Sequence, residues 1–318
     1  MMNAVDGPLN LADAEHLAFV ENQAAHIETT VYAERFAKIQ YPMFAPISTE
    51  ANEYANQILH YSEIAQGQAA WMATTANDVP LVNRTQTQHS VRVEGGWVGD
   101  EINLFEAAQA MMQGVPLTNQ KAMAARRFVE EFIDDVFSFG AAEMGYNGFL
   151  NYPEISPTSV PNVWVDTDGE VTVDPKVMVR DMQRAVSDSW NETFQIERAD
   201  TLVLPPSAFA LASETAYGDN VDTTVLQFVK EHNVYTDETN QPLTVRKHRG
   251  LETAGAGNTR RMIAYENARD VLVHHMPMMF KFLPGMQVDP LTYRVIAIFR
   301  TAGLEVRRPG AFRYIDGI

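Results

Sequence analysis

The sequence has no cysteine. Disulfides, thiolate metal sites and thiol nucleophiles are excluded together, so extra stability has to come from packing or assembly. Cationic side chains are also scarce. Lysine and arginine total 24 against 41 acidic residues, and most of the 24 are arginine, whose planar fork suits ion pairs between partly desolvated surfaces. The net charge of −17 repels DNA and anionic membrane alike, which argues against a general binder of either. No apolar run reaches the roughly 18 residues of a membrane-spanning helix. The opening "MMNAVDGPLNLADAEH" has no basic stretch followed by an apolar core. No signal peptide is therefore expected, and synthesis in a cytoplasm is the default. No serine sits in a nucleophile elbow and no HExxH is present.

What is there describes a folded chain. Its 318 residues are 46% hydrophobic and 20% charged, enough for a sizeable core and two domains. Residues 1–12 read as a mobile arm. Asp13 then caps a helix to about Gln40, with Leu17, Val20, Ala24, Ile27 and Val31 on one stripe and Pro42 and Pro46 closing it. Residues 54–64 and 87–98 read as strands, with Val91, Val93 and Trp97 on one parity. The polar stretch 65–86 between them contains Trp71. This makes a projecting hairpin. A two-stranded hairpin alone is marginal in water, so it needs a partner surface.

The strongest helical signal is "TNQKAMAARRFVEEFIDDVFSFG". Thr118 is its cap, Ala125, Val129, Phe132 and Val136 its buried line, and Gly140 its stop. A helix over 119–139 is a rod of roughly 31 Å. Leu104–Gln113 is a short helix before it. The exit, "GAAEMGYNGFLNYPEI" at 140–155, spends Gly140, Gly145, Gly148 and Pro153 on turning where no catalytic cluster or phosphate-loop lysine follows. Downstream, Asp174 and Pro175 open a helix to Asn191, and "DTLVLPPSAFALAS" gives a buried strand, a turn and a short helix. Val221–Glu231 is a further helix and Val271–Phe282 a strand with two histidines. The C-terminal stretch is β, with Tyr293, Val295 and Phe299 on one face and turns at Ala302-Gly303 and Pro309-Gly310.

Candidate chemistry is thin. His274 and His275 are adjacent, and neighbours on a strand point to opposite faces, so a shared metal would need distant ligands. "AGAGNTRR" at 254–261 lacks the strand, helix and lysine of a phosphate cradle and reads as a flexible loop. Glu130, Glu131, Asp134 and Asp135 on the long helix fall on the flanks of its apolar face, which suits a solvated or subunit-facing stripe better than a metal site. Two glycosylation sequons, at Asn83 and Asn191, read as chance matches without a secretory signal. Trp71, Trp97, Trp164 and Trp190 fit core or interface better than ligand platforms.

The order of elements, and the exit segment above all, resembles a tailed-phage major capsid protein of the Hong Kong 97 type. In one large family of these, long described as a domain of unknown function, a helix rich in "AAR" and acids runs into "G…G…GLLN.P.I". Here that is Ala124-Ala125-Arg126, then Gly140, Gly145, Gly148-Phe149-Leu150-Asn151, Pro153 and Ile155, with Phe149 in place of the usual leucine. "ETTVYAERFAKIQYPMFAPISTEA" is similar to the family's arm, and "GQAAWM" (67–72) and "DVPLVNR" (78–84) to the two sides of its hairpin tip. The similarity spans residues 25–155 and rests on element order from 156 to 318.

The resemblance implies an α+β Hong Kong 97-like capsid fold. Residues 1–50 would be the N-terminal arm and helix, 51–100 the extended hairpin or E-loop, and 101–150 the peripheral (P) domain with spine helix 119–139. Residues 151–285 would be mainly the axial (A) domain and 286–318 C-terminal strands returning to the P domain. It implies no enzyme activity, cofactor or metal. It implies self-assembly of hexamers and pentamers into an icosahedral head, made in the bacterial host cytoplasm. The head would enclose double-stranded DNA without sequence-specific binding, and portal and scaffolding or decoration proteins would join it. Trp71 is a candidate anchor between subunits, and Arg84 and Arg92 are candidate partners of acids such as Glu130, Glu131, Asp134 and Asp135 next door. Gly140, Gly145, Gly148 and Pro153 form the fold-critical turn, and flexibility is expected in the arm, the hairpin and the loop 252–260. Two other readings stand beside it: an encapsulin-like nanocompartment shell, and a soluble enzyme using His274 or His275.

Overall fold

The computed structural model describes residues 38–69, 71, 80–113, 117–161, 163–165, 171–218 and 222–318. The expected arm at 1–12 and the helix from Asp13 lie outside them, as does most of the hairpin tip.

Pro42 opens a helix instead of closing one. It sits in the first turn of α1 (Tyr41–Phe44), where a missing N–H costs nothing. After β1 (Ile47–Ser48), β2 (Gln57–Gln66) and β3 (Asn83–Arg92) pair antiparallel from Gln57↔Arg92 to Gln66↔Asn83, a ladder of about 33 Å at 3.3 Å per residue. β4 (Glu94–Asn103) starts after a break at Val93. That break overturns the single strand expected over 87–98: Val93 is buried, while Trp97 faces solvent on β4.

α2 (Leu104–Gln113) leads to the long helix α3 (Leu117–Phe139), which begins one residue ahead of Thr118. Its buried line is Ala125, Val129, Ile133, Val136 and Phe137. Phe132 was expected there but is 54% exposed. It lies about 100° round the helix from Ile133, which takes the inward position.

The chain continues through β5 (Gly140–Ala141), β6 (Tyr146–Asn147) and β7 (Pro157–Ser159) to α4 (Pro175–Glu192). Asp174 caps α4 by accepting from the Lys176 N–H. Then come β8 (Thr201–Leu204), α5 (Pro206–Glu214), α6 (Val225–Glu231), α7 (Val234–Thr239), β9 (Thr244–Lys247) and β10 (Arg261–Tyr265). α6 starts at Val225, not Val221, because the Thr224 hydroxyl caps it there. The strand expected over 271–282 is two: β11 (Leu272–His275) and β12 (Met278–Phe282), parted at Pro277, which has no N–H for a ladder. β13 (Met286–Asp289), β14 (Thr292–Thr301), β15 (Gly303–Val306) and β16 (Phe312–Asp316) complete the chain.

Three sheets carry the body. A five-stranded sheet has the order β7-β16-β10-β8-β9. In a second, β14 pairs β4 along one edge and β12 and β13 along the other. The third is β1-β11-β15. Side chains alternate across β10, so the strand serves two cores. Ile263 and Tyr265 join one with Phe44, Val129, Phe137, Phe149, Phe299 and Phe312. Met262 and Ala264 join the other, with Trp164, Met178, Met182, Leu202 and Val229 beneath helices α4 to α6. The loop expected to be flexible at 254–261 is tied down. Gly255 N–H donates to Thr259 O (2.8 Å) and Ala256 N–H to the Asp316 carboxylate (3.0 Å), and buried Arg261 grips that same carboxylate.

Candidate functional site

The exit of α3 explains its glycines. A helix ends with unsatisfied carbonyls. Here Phe149 N–H donates to Phe137 O (2.8 Å), Leu150 N–H to Ser138 O (3.0 Å) and Asn151 Nδ2 to Phe139 O (3.1 Å). The chain therefore doubles back onto the helix end, and no β-carbon fits between. Gly140 has φ +79°, and an added Cβ would lie 2.4 Å from Tyr146 O. One on Gly148 would lie 2.4 Å from Phe139 C. Pro153 takes the second place of a turn closed by Ile155 N–H to Tyr152 O. The residue thrust inward is Phe149, whose ring meets Phe137 (5.4 Å), Phe44 (5.7 Å) and Tyr265 (5.1 Å). The knot builds a core, and its outer residues Met144 to Asn147 form one wall of a groove.

The acidic positions divide. Asp134, placed by the sequence on a solvated or neighbour-facing flank, is buried. Its Oδ1 accepts the N–H groups of Gln40 (2.9 Å) and Tyr41 (2.7 Å), with Arg249 at 3.5 Å. Glu130 accepts the Tyr41 hydroxyl (2.8 Å). Burial first, then the Glu130 carboxylate, pushes that phenol far above its usual range. Asp134 is therefore corrected from a contact between copies to an anchor within one: it holds α1 onto the long helix. Glu131 pairs with Arg127 one turn away (2.9 Å). Asp135 remains exposed.

The hairpin is paired only with itself among the described residues. Its outward face shows Leu59 and Tyr61, its far end Leu81 and Val82, and Trp71 beyond them is fully exposed. Arg84 meets Glu63 of the same hairpin (3.1 Å) and Arg92 meets Glu94 (2.6 Å), yet both arginines stay largely in solvent. The hairpin root is clamped by residues that carried no sequence signal. Tyr146 donates its hydroxyl to Arg92 O and Thr301 O and accepts from Glu94 N–H, all at 3.0 Å. Arg300 donates to Glu53 O (2.9 Å) and to Asn56 Oδ1 (3.3 Å). A strip of exposed aromatics on α3, Phe128, Phe132 and Phe139, lies on one side of that helix and was also missed.

His274 and His275 have separate surroundings. His275 Nε2 meets Glu305 (2.8 Å), whereas His274 is enclosed by the Tyr41 and Phe137 rings. Neither His274 ring nitrogen has a protein partner, and burial pushes its pKa down to about 3. His248 is bonded to Ser138 Oγ (3.1 Å) and Gly250 N–H (3.0 Å), and burial pushes it down to about 4. Both values lie below the unfolded 6.5, so the unfolded chain takes up more protons as pH falls. Stability is complete above pH 6.5. It is lost as pH drops towards 4, by about 1.4 kcal/mol per pH unit for each histidine. Melting by calorimetry at pH 7.5 and 5 is expected to show this loss. His274→Leu is expected to reduce it and to gain about 1 kcal/mol at pH 7.5, since an unpartnered buried polar group is removed. Equal pH slopes in both proteins would contradict this. Among the described residues, no group of three or more His, Asp or Glu is placed to hold a metal ion.

A rod helix packed on a β-sheet, a long hairpin that pairs with no further strand among the described residues and an α/β layer sharing one strand between two cores define the Hong Kong 97-like capsid fold. Solved structures share it. The capsid of Myoviridae phage XM1 aligns over 93% of this chain and 98% of its own, with a TM-score of 0.76 at 18% identity. The capsid of a native GTA particle aligns over 98% and 99% (0.64, 9%), and a solved chain of Gordonia phage Cozz over 99% and 99% (0.56, 13%). The profile of the major capsid protein family matches residues 67–318, well over half of the sequence, and the chain belongs to that family. It is a shell protein of a phage head. No curated protein sequence matches it.

Proposed function

We propose that this chain is the repeating tile of the icosahedral head of a tailed phage. Copies group as hexamers and pentamers, assemble in the host cytoplasm and enclose double-stranded DNA without reading its sequence. The tile performs no catalysis and binds no cofactor; portal and scaffolding or decoration proteins complete the particle. The hairpin of β2 and β3 serves as the E-loop, α3 as the spine of the P domain, and the layer around α4 to α6 as the A domain. The observation that carries this reading is the hairpin. Ten residue pairs join its two strands with no third strand among the described residues, and Leu59, Tyr61 and Trp71 are exposed. Such a ribbon is marginal alone and gains its stability from a neighbouring copy. Contacts too weak to hold one pair add up when shell closure engages them together. An acidic wall would also let the genome slide during packaging.

Electron microscopy of the purified protein tests the reading. Closed shells are expected, and particles no larger than a few subunits would defeat it. Within the shell, Trp71 is the aromatic anchor, with Arg84, Arg92 and Asp135 at the polar rim. Trp71→Ala is expected to remove about 2 kcal/mol per contact, the size of an interface hot spot, and so to lower shell melting or prevent closure while the subunit stays folded. Unchanged shells with unchanged melting would remove Trp71 from the interface.

A further inference from the structure

The hairpin root carries a titratable cluster that the shell reading does not use. His60 on β2 and His89 on β3 are cross-strand partners, and their rings stack at 4.8 Å and 9°. Ser62 Oγ meets His89 Nε2 at 2.9 Å. On the body side stands Glu305 of β15, almost fully buried. Its carboxylate lies 2.5 Å from His60 Nδ1, 2.8 Å from His275 Nε2 and 3.1 Å from Arg307 Nε. The His60 approach is close but off hydrogen-bond alignment, since neither Nδ1 nor Oε1 gains a hydrogen-bond partner by it. Between hairpin and body runs a groove of about 1050 Å³. Most other charged groups along it are already matched: Glu63 with Arg84, Arg92 with Glu94, and Arg308 with Asp270 and Glu197. Glu154 is also on its wall.

We propose that His60, His89, His275 and Glu305 form a protonation-controlled latch between the hairpin and β15, closed while His60 is neutral and opened when it takes up a proton. One carboxylate faces Arg307 already, so each added proton leaves a surplus positive charge in a half-buried site. A proton on His60 faces Arg307, His275 and His89 together, and only Glu305 attracts it. Burial is the largest influence on His60 and lowers its pKa against the pull of Glu305. The docked hairpin thus binds protons less readily than a free one, and acid favours the free form. Opening returns the His60 ring to water. The latch belongs to a single subunit; only its consequence, a hairpin free to change neighbours in mildly acidic conditions, rests on the shell reading.

Amide hydrogen exchange on the full-length protein, corrected for intrinsic rates, tests it. A released ribbon frays, so protection over 57–66 and 83–92 reports docking. Between pH 8 and pH 5.5 that protection is expected to fall about tenfold, the span of one proton over one pH unit, while β10 holds. His60→Asn, polar but uncharged, is expected to flatten the response, and His89→Gln, which removes the ring stacked on His60, to weaken it. If β10 loses protection in His60→Asn, that variant is misfolded and His89→Gln decides the matter. No fall in the natural protein, or the same fall in the deciding variant, overturns the latch. Micrographs without shells would end the shell reading and leave this measurement intact.

Discussion

Gly148→Ala is expected to abolish soluble, assembly-competent protein. The new methyl would sit 2.4 Å from Phe139 C, 2.5 Å from Ser138 O and 2.6 Å from Gly140 N. All three are backbone atoms at the end of the long helix, so no rotamer change relieves the contact. Moving them would break the bonds that bring Phe149 and Leu150 back over the helix end. The loss is expected to exceed about 3 kcal/mol, the upper range of overpacking, against a total stability of order 10 kcal/mol. Gly145→Ala supplies the contrast. Gly145 has φ +77° but an added Cβ meets nothing within 4 Å, so only the left-handed backbone penalty of about 1 kcal/mol applies. Soluble yield, denaturant midpoint and particle formation for the two variants check the order. A Gly148→Ala protein that melts and assembles like the natural one would show that the crossing tolerates a wider path.

Asp134→Ala comes next in expected size. It strands the N–H groups of Gln40 and Tyr41 in a buried setting and removes the carboxylate facing Arg249. Hydrogen bonds to a charged acceptor contribute about 1.5–3 kcal/mol each, and orphaned donors add a penalty. A loss of about 3 kcal/mol is expected, with early proteolysis near α1 as the segment leaves the helix. Asp134→Asn keeps one acceptor oxygen where Oδ1 stands and is expected to lose about 1 kcal/mol. Denaturation midpoints and mapped cleavage sites measure both. Equal midpoints for the two variants would mean that the carboxylate does not hold the segment.

Much of the architecture was legible because it rests on local rules. The long helix, its glycine stop and the Asp174–Pro175 start of α4 follow from periodicity and capping, and each is present. The hairpin was legible as two polar-tipped strands, but not its register, because cross-strand partners such as His60 and His89 are far apart in sequence. Phe132 and Asp134 show the limit most clearly. Periodicity gives a stripe but not its edges, and the segment at Gln40 that rotates Asp134 inward comes from ninety residues upstream. Tyr146 and Arg300 left no trace either, since each acts on backbone groups that any residue supplies. The charge pattern similarly could not separate exposed Asp135 from its buried neighbour.

Tyr146 belongs both to the turn that leaves the long helix and to the root of the hairpin, where one hydroxyl meets backbone groups of three other strands, β3, β4 and β14. It acts as a pivot pin. In the proposed shell, a small tilt of the rod would be carried through this hydroxyl to the foot of a ribbon some thirty ångströms long. One polypeptide would thereby reach for neighbours at unequal angles without rebuilding its interior.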